Sequence, residues 1–306
     1  MLEIAGHTWP CYRVDPSSLP ETNAFPRLRR SGKISHFALT AAIDAVVSAG
    51  LTEDEKSQLP ILFATSDGGV IYTRRFFTEL DARGPGAGSP LLFPETVYNA
   101  AASHVAAYFQ SDREATAMVG DAAVALSAIS AGCELLSQGL SKHVLIIAAN
   151  ECDAISVAGY SRWKFLCQTP DDPTGNIFSE GAAAIVLGPP RQRKPALMWC
   201  REGRPHFSRK EAGDSLREIL THPSVPPPWI FASCQRTPLQ EIEQEAIGHL
   251  DGKIFDVKKS LGEGLAFTAM AQIVAASHLV ETSSQSALVT VLGFASGTAA
   301  ASLSCR

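Results

Sequence analysis

The pattern of apolar and polar residues predicts strands alternating with helices. Four short runs are apolar on both faces, which is typical of strands buried inside a sheet: 61–66, 115–120, 143–150 and 182–188. Apolar residues recur at helical spacing in the segments 33–50, 96–110 and 122–138. Gly50 marks a helix end, because glycine commonly follows the last helical residue.

A proline-rich, basic connector, 189–195, divides the chain. Beyond it the pattern resumes, with strands predicted at 229–234, 287–295 and 300–305 and helices at 237–250 and 263–281. Buried strands alternating with helices indicate a layered α/β fold. Both halves, 1–190 and 191–306, end in a helix followed by an apolar strand. We therefore expect a duplicated fold, although no sequence repeat is visible.

Composition narrows the class of protein. The 306 residues are 45% hydrophobic and 19% charged, which is ordinary for a globular chain with a sizeable core. The net charge of −5 argues against a nucleic-acid surface. The two basic clusters, 27–30 and 191–194, are short, and we interpret both as solvated surface.

The seven cysteines are scattered and no pair has CxxC spacing. We therefore expect neither a metal site nor a disulfide framework, and reduced cysteines fit the cytoplasm. The N-terminus lacks the pattern of a signal peptide. No run reaches the roughly 18 apolar residues that span a bilayer. These features predict a cytoplasmic protein without a membrane span.

The segment "EATAMVGDAAVALSAISAG" (114–132) predicts a sharp strand-to-helix corner. Such corners expose one side chain at a helix N-terminus and often carry a nucleophile. Here the corner reads Gly120, Asp121, Ala122 and Ala123, with no serine or cysteine. For Asp121, a helix N-cap is favoured over a new general base.

Several segments together resemble the β-ketoacyl-acyl carrier protein synthases of the thiolase superfamily. The segments, in family order, are "FATSDGG" (63–69), "LLFPETVYNAAASHVAAYFQ" (91–110), "FSEGAAAIVLG" (178–188), "ASCQRTP" (232–238), "KKSLGEGLAFTAMA" (258–271) and "GFASGTAAASL" (293–303). Each pattern is weak alone, whereas their order and separations together are specific. The resemblance implies an α/β thiolase-like fold, in which two related halves form an αβαβα sandwich and the C-terminal half is shortened.

Enzymes of this family use a cysteine nucleophile and two histidines. By the resemblance, the cysteine position falls on Ala122 and the histidine positions on Ser233 and Gly264. A lysine of the family matches Lys259. Alanine cannot form an acyl-enzyme, and neither serine nor glycine replaces the histidine pair that stabilises the enolate. We therefore expect a chain without catalytic residues and without a cofactor.

Other matching positions imply a channel and a dimer. Asp67, Leu92 and Phe294 are candidates for lining or gating an acyl tunnel. Phe294 matches the family's gating phenylalanine, with core packing an equal alternative. Asp67 stands where relatives carry an apolar residue; it could repel an alkyl chain, reach a partner or face water. The family dimerises through the strand before the corner, here Ala115, Thr116, Ala117, Met118 and Val119, and Asn99 and His104 are further interface candidates. A structural role for His104 is also favoured over a ligand role.

The resemblance is greatest to chain-length factors, which occur in aromatic polyketide and aryl polyene pathways, and the shortness of this chain favours the aryl polyene kind. It implies a heterodimer with an active ketosynthase, which would also supply the contact with acyl carrier protein. Two alternatives remain at this stage. One is an acyltransferase or thioester hydrolase with a relocated nucleophile at Cys167, Ser233 or Cys234. The other is a scaffold that binds acyl chains or carrier protein alone.

Overall fold

The computed structural model describes residues 2–4, 7–19, 25–167, 169, 175–192, 194–221 and 227–305. The strands are β1 Leu2–Ile4, β2 His7–Trp9, β3 Cys11–Tyr12, β4 Ile61–Thr65, β5 Ala115–Val119, β6 Val144–Asn150, β7 Phe178–Ser179, β8 Gly181–Leu187, β9 Pro195–Glu202, β10 Trp229–Phe231, β11 Lys253–Phe255, β12 Ala287–Leu292 and β13 Thr298–Cys305. The helices are α1 Lys33–Ala49, α2 Glu53–Ser57, α3 Val70–Arg83, α4 Ala100–Phe109, α5 Val124–Ser137, α6 Ala154–Arg162, α7 Arg209–Leu220, α8 Gln240–Ile247, α9 Lys258–Leu261 and α10 Ala266–Ser283.

The first sheet has the strand order β5-β4-β6-β8. β4 pairs in parallel with β5 and β6, and β8 runs antiparallel to β6. Every residue of β4 and β6 is buried. This burial explains why both strands are apolar on both faces in the sequence.

The second sheet repeats this arrangement and adds one strand. Its order is β11-β10-β12-β13-β9, with β10 parallel to β11 and β12, and β13 antiparallel to β12. β9 then pairs antiparallel with the outer edge of β13. The duplication expected from the two similar halves is therefore confirmed at the level of topology.

The elements form five layers. α1 and α4 cover the outer face of the first sheet, α5 and α10 lie between the sheets, and α7 and α8 cover the second sheet. The largest apolar core surrounds the central helices and draws residues from both sheets, such as Ile146 and Val289. Burial of this apolar area is the main stabilising contribution. The predicted αβαβα sandwich is confirmed.

Small residues let α5 approach the first sheet closely. A Cβ atom at Gly132 would lie only 2.8 Å from a side-chain carbon of Ile146. The many alanines of α5 serve the same close packing, and Ala125 and Ala128 are fully buried. The corner that precedes α5 is thereby held rigidly against both sheets.

The structure moves several predicted boundaries. The helix predicted over 96–110 begins only at Ala100, because a short 3-10 helix at Phe93–Glu95 and a turn precede it. The strand predicted over 229–234 ends at Phe231. α3, α6, α7 and β9 were not predicted. β8 ends at Leu187 and β9 begins at Pro195, so the predicted division between the halves at 190/191 falls between these two strands. The division into two domains stays a prediction. In the described ranges, no helix combines the length and apolar character needed to cross a membrane.

Candidate functional site

The corner between β5 and α5 is buried and held by one carboxylate. Ala122, at the expected nucleophile position, is 6% exposed. Asp121 accepts a hydrogen bond from the backbone N–H of Ala123 through Oδ1 (3.1 Å). Its Oδ2 accepts three more from the backbone of the loop after β12, at 3.3, 3.0 and 2.8 Å for residues 295, 296 and 297. The N-cap of α5 is Ala123, so the prediction that Asp121 caps this helix is wrong. Asp121 instead anchors the loop.

The first histidine position is occupied by Ser233, whose hydroxyl group both donates and accepts a hydrogen bond within the core. Ser233 Oγ donates to Glu243 Oε1 (3.1 Å) and accepts from the backbone N–H of Leu292 (2.9 Å). Glu243 is fully buried and also accepts from the backbone N–H groups of Ser233 and Cys234, at 2.9 and 2.6 Å. The role of Glu243 could not be predicted from the sequence, because a glutamate within an otherwise polar helix gives no signal of burial.

Cys234 has the properties of a structural thiol. Its sulfur donates to the backbone carbonyl of Leu292 (3.6 Å), and its side chain is completely buried. Burial raises the pKa of the Cys234 thiol well above its usual value, with the charge of Glu243 adding to the effect. Cys167 is also buried, at 3% exposed. A nucleophile needs access and a thiolate. Burial denies access to both cysteines, and the raised pKa of Cys234 also disfavours its thiolate.

The second histidine position is Gly264, which has no side chain and lies next to a buried ion pair. Lys258 Nζ donates to Glu263, and the two side chains are 3% and 1% exposed. Burial is the largest single influence and opposes the charged lysine, but the charge and hydrogen bond of Glu263, together with Cys234 and Glu243 nearby, outweigh it and raise the pKa of Lys258. A Cβ at Gly264 would lie 2.3 Å from a ring carbon of Phe267, so this position has no room for a side chain. Lys259, the lysine matched by sequence, is exposed.

These positions converge on the loop 293–297. Asp121 binds its backbone, Ser233 binds Leu292 just before it, and the Lys258 ammonium lies 5.5 Å from the ring centre of Phe294. Phe294 is half-buried and stacks on Phe165, with ring centres 3.8 Å apart. The structure thus brings the expected positions together. It fills the space among them with hydrogen bonds, one ion pair and stacked rings.

The family model described as "Beta-ketoacyl synthase, N-terminal domain" matches residues 23–192, more than half of the chain. The chain belongs to the β-ketoacyl synthase family. A comparison with curated protein sequences finds no match. Among solved structures, this β-ketoacyl synthase chain is similar to "The ishigamide ketosynthase/chain length factor", with a TM-score of 0.79, 18% identity, and coverage of 90% of this chain and 83% of the other.

A second similar structure is a type II PKS acyl-carrier protein in complex with its ketosynthase bound to the hexaketide. The TM-score is 0.74 at 14% identity, and the match covers 94% of this chain and 92% of the other. At these identities the two structures establish the ketosynthase fold. The family resemblance inferred from the six sequence segments is confirmed.

The tunnel candidates of this family member lie in different surroundings. Asp67 follows β4, and its backbone N–H donates to Asn150 Oδ1 (3.3 Å). Its Oδ2 is buried without a hydrogen-bond partner among the described residues, and burial raises the pKa of the carboxyl. Leu92 is half-buried and directly precedes the 3-10 helix at Phe93–Glu95. Asp67 is thus a half-buried residue with one carboxylate oxygen shielded from water.

A second carboxylate nearby was missed by sequence analysis. Glu151 follows β6 and is fully buried. Its Oε1 accepts from the backbone N–H of Ile71 (2.9 Å), while Oε2 has no partner among the described residues. Burial, with the negative charges of Glu180 and Asp153, raises the pKa of Glu151 to about 7. The signal in the sequence was an acidic residue directly after a strand that is apolar up to its last residue, Asn150.

The interface candidates range from exposed to buried; Ala115, Ala117 and Met118 are half-buried. Thr116 and Val119 are exposed on β5, which forms the edge of the first sheet. Asn99 is exposed just before α4. His104, in contrast, is buried, with its Nε2 2.8 Å from Glu95 Oε1. In the described part of the chain, no group of three or more His, Cys, Asp or Glu residues is placed to hold a metal ion.

Proposed function

We propose that this chain is a non-catalytic ketosynthase-like subunit. It pairs with an active β-ketoacyl synthase and shapes the channel for the growing acyl or polyene chain, in the manner of a chain-length factor. The proposal rests on one observation: the three positions where the family has its catalytic residues offer no nucleophile and no room for the histidines. Ala122 offers no nucleophile, Ser233 is bound on both sides, and Gly264 has no room for an imidazole. Activity then resides in the partner subunit, and the chain needs no cofactor.

The surface of the first sheet supports pairing. β5 has no neighbour on its outer side among the described residues, and an open edge is a template for another strand. Large apolar side chains are exposed on β5 itself, on α4, which contacts β5, and on α3 and the segment that precedes α4, which favours an interface. They are Phe77, Leu91, Phe93, Val97, Tyr98, Tyr108 and Val119. A partner strand lying along β5 would continue the sheet across the two subunits.

The relocated-nucleophile alternative has little support. Cys234 is completely buried and its thiol pKa is raised, and Cys167 is also buried. Nothing specific favours the scaffold that acts alone, whereas the open edge of β5 favours a partner.

Co-expression with an active ketosynthase tests the proposal. We expect a stable heterodimer in the cytoplasm whose products differ in chain length from those of the ketosynthase alone. Replacing the partner's nucleophilic cysteine should abolish product formation. Cys234→Ala and Cys167→Ala in this chain should leave the product unchanged. A monomer or homodimer of this chain, with unaltered partner products, would contradict the proposal.

A matched pair of variants tests the shaping role. Leu92→Trp adds bulk at a candidate position for lining the acyl tunnel, so we expect shorter products. Leu140→Trp adds the same bulk at a distant exposed position, where Leu140 is 58% exposed, and should change nothing. Equal product profiles for both variants would remove Leu92 from the channel.

A further inference from the structure

Two cysteines from distant parts of the chain meet beside β7. Cys11 lies on β3, which pairs in parallel with β7 so that Cys11 is opposite Phe178. Cys152 lies just after β6, and its backbone N–H donates to Oε2 of Glu180, the residue that follows β7 (3.2 Å). The two thiol groups, both free in this structure, hydrogen-bond to each other. The fold therefore makes neighbours of two thiols that are far apart in sequence.

The surroundings keep both sulfur atoms in place. Trp9 and Cys11 pack against a small apolar cluster to which Cys152 belongs. Directly after Cys11, the carbonyl of Tyr12 accepts a hydrogen bond from the backbone N–H of Glu180 (3.1 Å). Side-chain packing and backbone hydrogen bonds therefore hold the two thiols together in the folded chain.

The two thiols differ in access and in charge. Cys11 is half-buried, and the exposed Arg13 side chain hydrogen-bonds to it, which is the main cause of the raised pKa of Arg13. Reactive cysteines are partly exposed and lie beside a positive charge, because the thiolate is the nucleophile. Cys152 is 2% exposed, and burial raises the pKa of its thiol, with Cys11 and Glu180 adding to the effect. Cys11 is therefore suited to meet an oxidant first, and Cys152 to react with the product.

We propose that Cys11 and Cys152 form a peroxide-sensitive dithiol that oxidises reversibly to an intramolecular disulfide. The Cys11 sulfur attacks one oxygen of hydrogen peroxide, the O–O bond breaks, and the thiol proton ends on the leaving hydroxide as water. The Cys152 sulfur then attacks the sulfenic acid left on Cys11. The S–O bond breaks, the S–S bond forms, and the Cys152 proton leaves with the hydroxyl group as a second water. The thiols are oxidised and the peroxide is reduced.

The disulfide would act on the segment that holds α3. Cys152 stands between Glu151 and Asp153, which both bind α3. Glu151 Oε1 accepts from the backbone N–H of Ile71 (2.9 Å). Asp153 Oδ2 accepts two hydrogen bonds from the Arg74 guanidinium (3.1 and 2.8 Å). Oxidation would therefore tie β3 covalently to the loop that positions α3.

Peroxide treatment of the full chain, followed by peptide mapping without reductant, tests this inference. Trypsin places each of the two cysteines alone in one peptide, 1–13 and 143–162. We expect these peptides to become linked with the loss of two hydrogen atoms, and dithiothreitol to separate them. Cys11→Ser and Cys152→Ala should each abolish the link. Cys133→Ala, which removes a half-buried thiol elsewhere, should leave it unchanged.

Further variants assign the order of the two steps. With Cys152→Ala, the sulfenic acid on Cys11 meets no second thiol, so dimedone, which traps sulfenic acids, should label peptide 1–13. With Cys11→Ser, dimedone should leave peptide 143–162 unlabelled. Arg13→Gln should slow the linkage at least about threefold, whereas Arg13→Lys, which keeps the positive charge, should not.

Three results would overturn the inference. One is a link between other cysteines in place of this pair. Another is a link between two copies of the chain, seen as mixed peptides when isotope-labelled and unlabelled chains are oxidised together. The last is oxidation of the chain by peroxide without any link between peptides 1–13 and 143–162. None of these depends on the proposed chain-length role, because the link itself is measured.

Discussion

Lys258 and Glu263 place opposite charges in the part of the fold where the family's catalytic groups are expected. Sequence matching selected Lys259, which is exposed, and placed the missing histidine at Gly264. Matching a sequence motif can be in error by one residue. Here that one residue decides burial, because Lys258 lies in the core and Lys259 at the surface. The positions of Ala122 and Ser233 were predictable from the sequence, whereas the contacts that fill the site were not. Those contacts depend on Glu243 and on the loop 293–297, which lie far apart in the chain.

The buried ion pair gives a stability prediction. Glu263→Gln leaves the Lys258 charge buried without a counter-charge, and we expect the free energy of unfolding to fall by about 3–5 kcal/mol. The control is Glu218→Gln, which breaks the Arg204–Glu218 pair at the surface, where the side chains are 74% and 59% exposed. That loss should be about 0–1 kcal/mol. Urea unfolding of both variants measures the difference, and equal losses would contradict the burial argument.

Glu151 gives a pH prediction. Its pKa is about 7 in the folded chain, against an ordinary value of 4.5, so the folded state binds more protons between these values. Stability should therefore fall as pH rises from about 4.5 to about 7 and then level off, by roughly 3 kcal/mol at about 1.4 kcal/mol per pKa unit. Glu151→Gln should remove this part of the pH dependence. Glu53→Gln, at a side chain 88% exposed, is the control. Urea unfolding at pH 5 and pH 8 measures the change.

Among the secondary-structure elements, strands that are buried on both faces were the most predictable from the sequence. β4 and β6 are apolar except at their last residues, Thr65 and Asn150, and their predicted bounds agree with the structure within a residue. α3 has no buried residue, so no apolar stripe marks it. β9 is half-buried along most of its length, and its mixed pattern gave no alternation. Elements whose partners come from distant parts of the chain escape a local pattern.

The edge strand β5 gives a prediction about pairing with the ketosynthase. Val119→Asp places a charge at the open edge of the sheet, where Val119 is 47% exposed. We expect heterodimer formation with the ketosynthase to weaken by at least about tenfold, because burying an unpaired carboxylate is costly. Val47→Asp, on α1 where Val47 is 70% exposed, should leave pairing unchanged. Analytical ultracentrifugation of each mixture measures this, and equal dissociation constants would exclude β5 from the interface.

At the scale of the molecule, the two halves share one core. The sheets are separate in the chain, yet α5 from one half and α10 from the other pack together between them. The sequence predicted the duplication from similar endings. The shared central layer followed only from the family resemblance, because no local pattern says which helices lie inside.

The shared core predicts a single unfolding transition. Separating the halves would expose the apolar faces of α5 and α10, so neither half keeps its core alone. We expect calorimetry of the intact chain to give one cooperative transition. A fragment of residues 1–190 should lack slowly exchanging amides in β4 and β6. Two resolved transitions, or a protected fragment, would show that the halves are independent domains.

The open edge of β5 also has a consequence for how the protein is made. An apolar edge strand pairs with whatever strand it meets first, including another copy in a wrong register. If β5 is reserved for a ketosynthase, each newly synthesised chain needs that partner before it meets its own kind. Output of the assembled complex then depends on the ratio in which the two polypeptides are produced, and surplus copies of this chain end in aggregates.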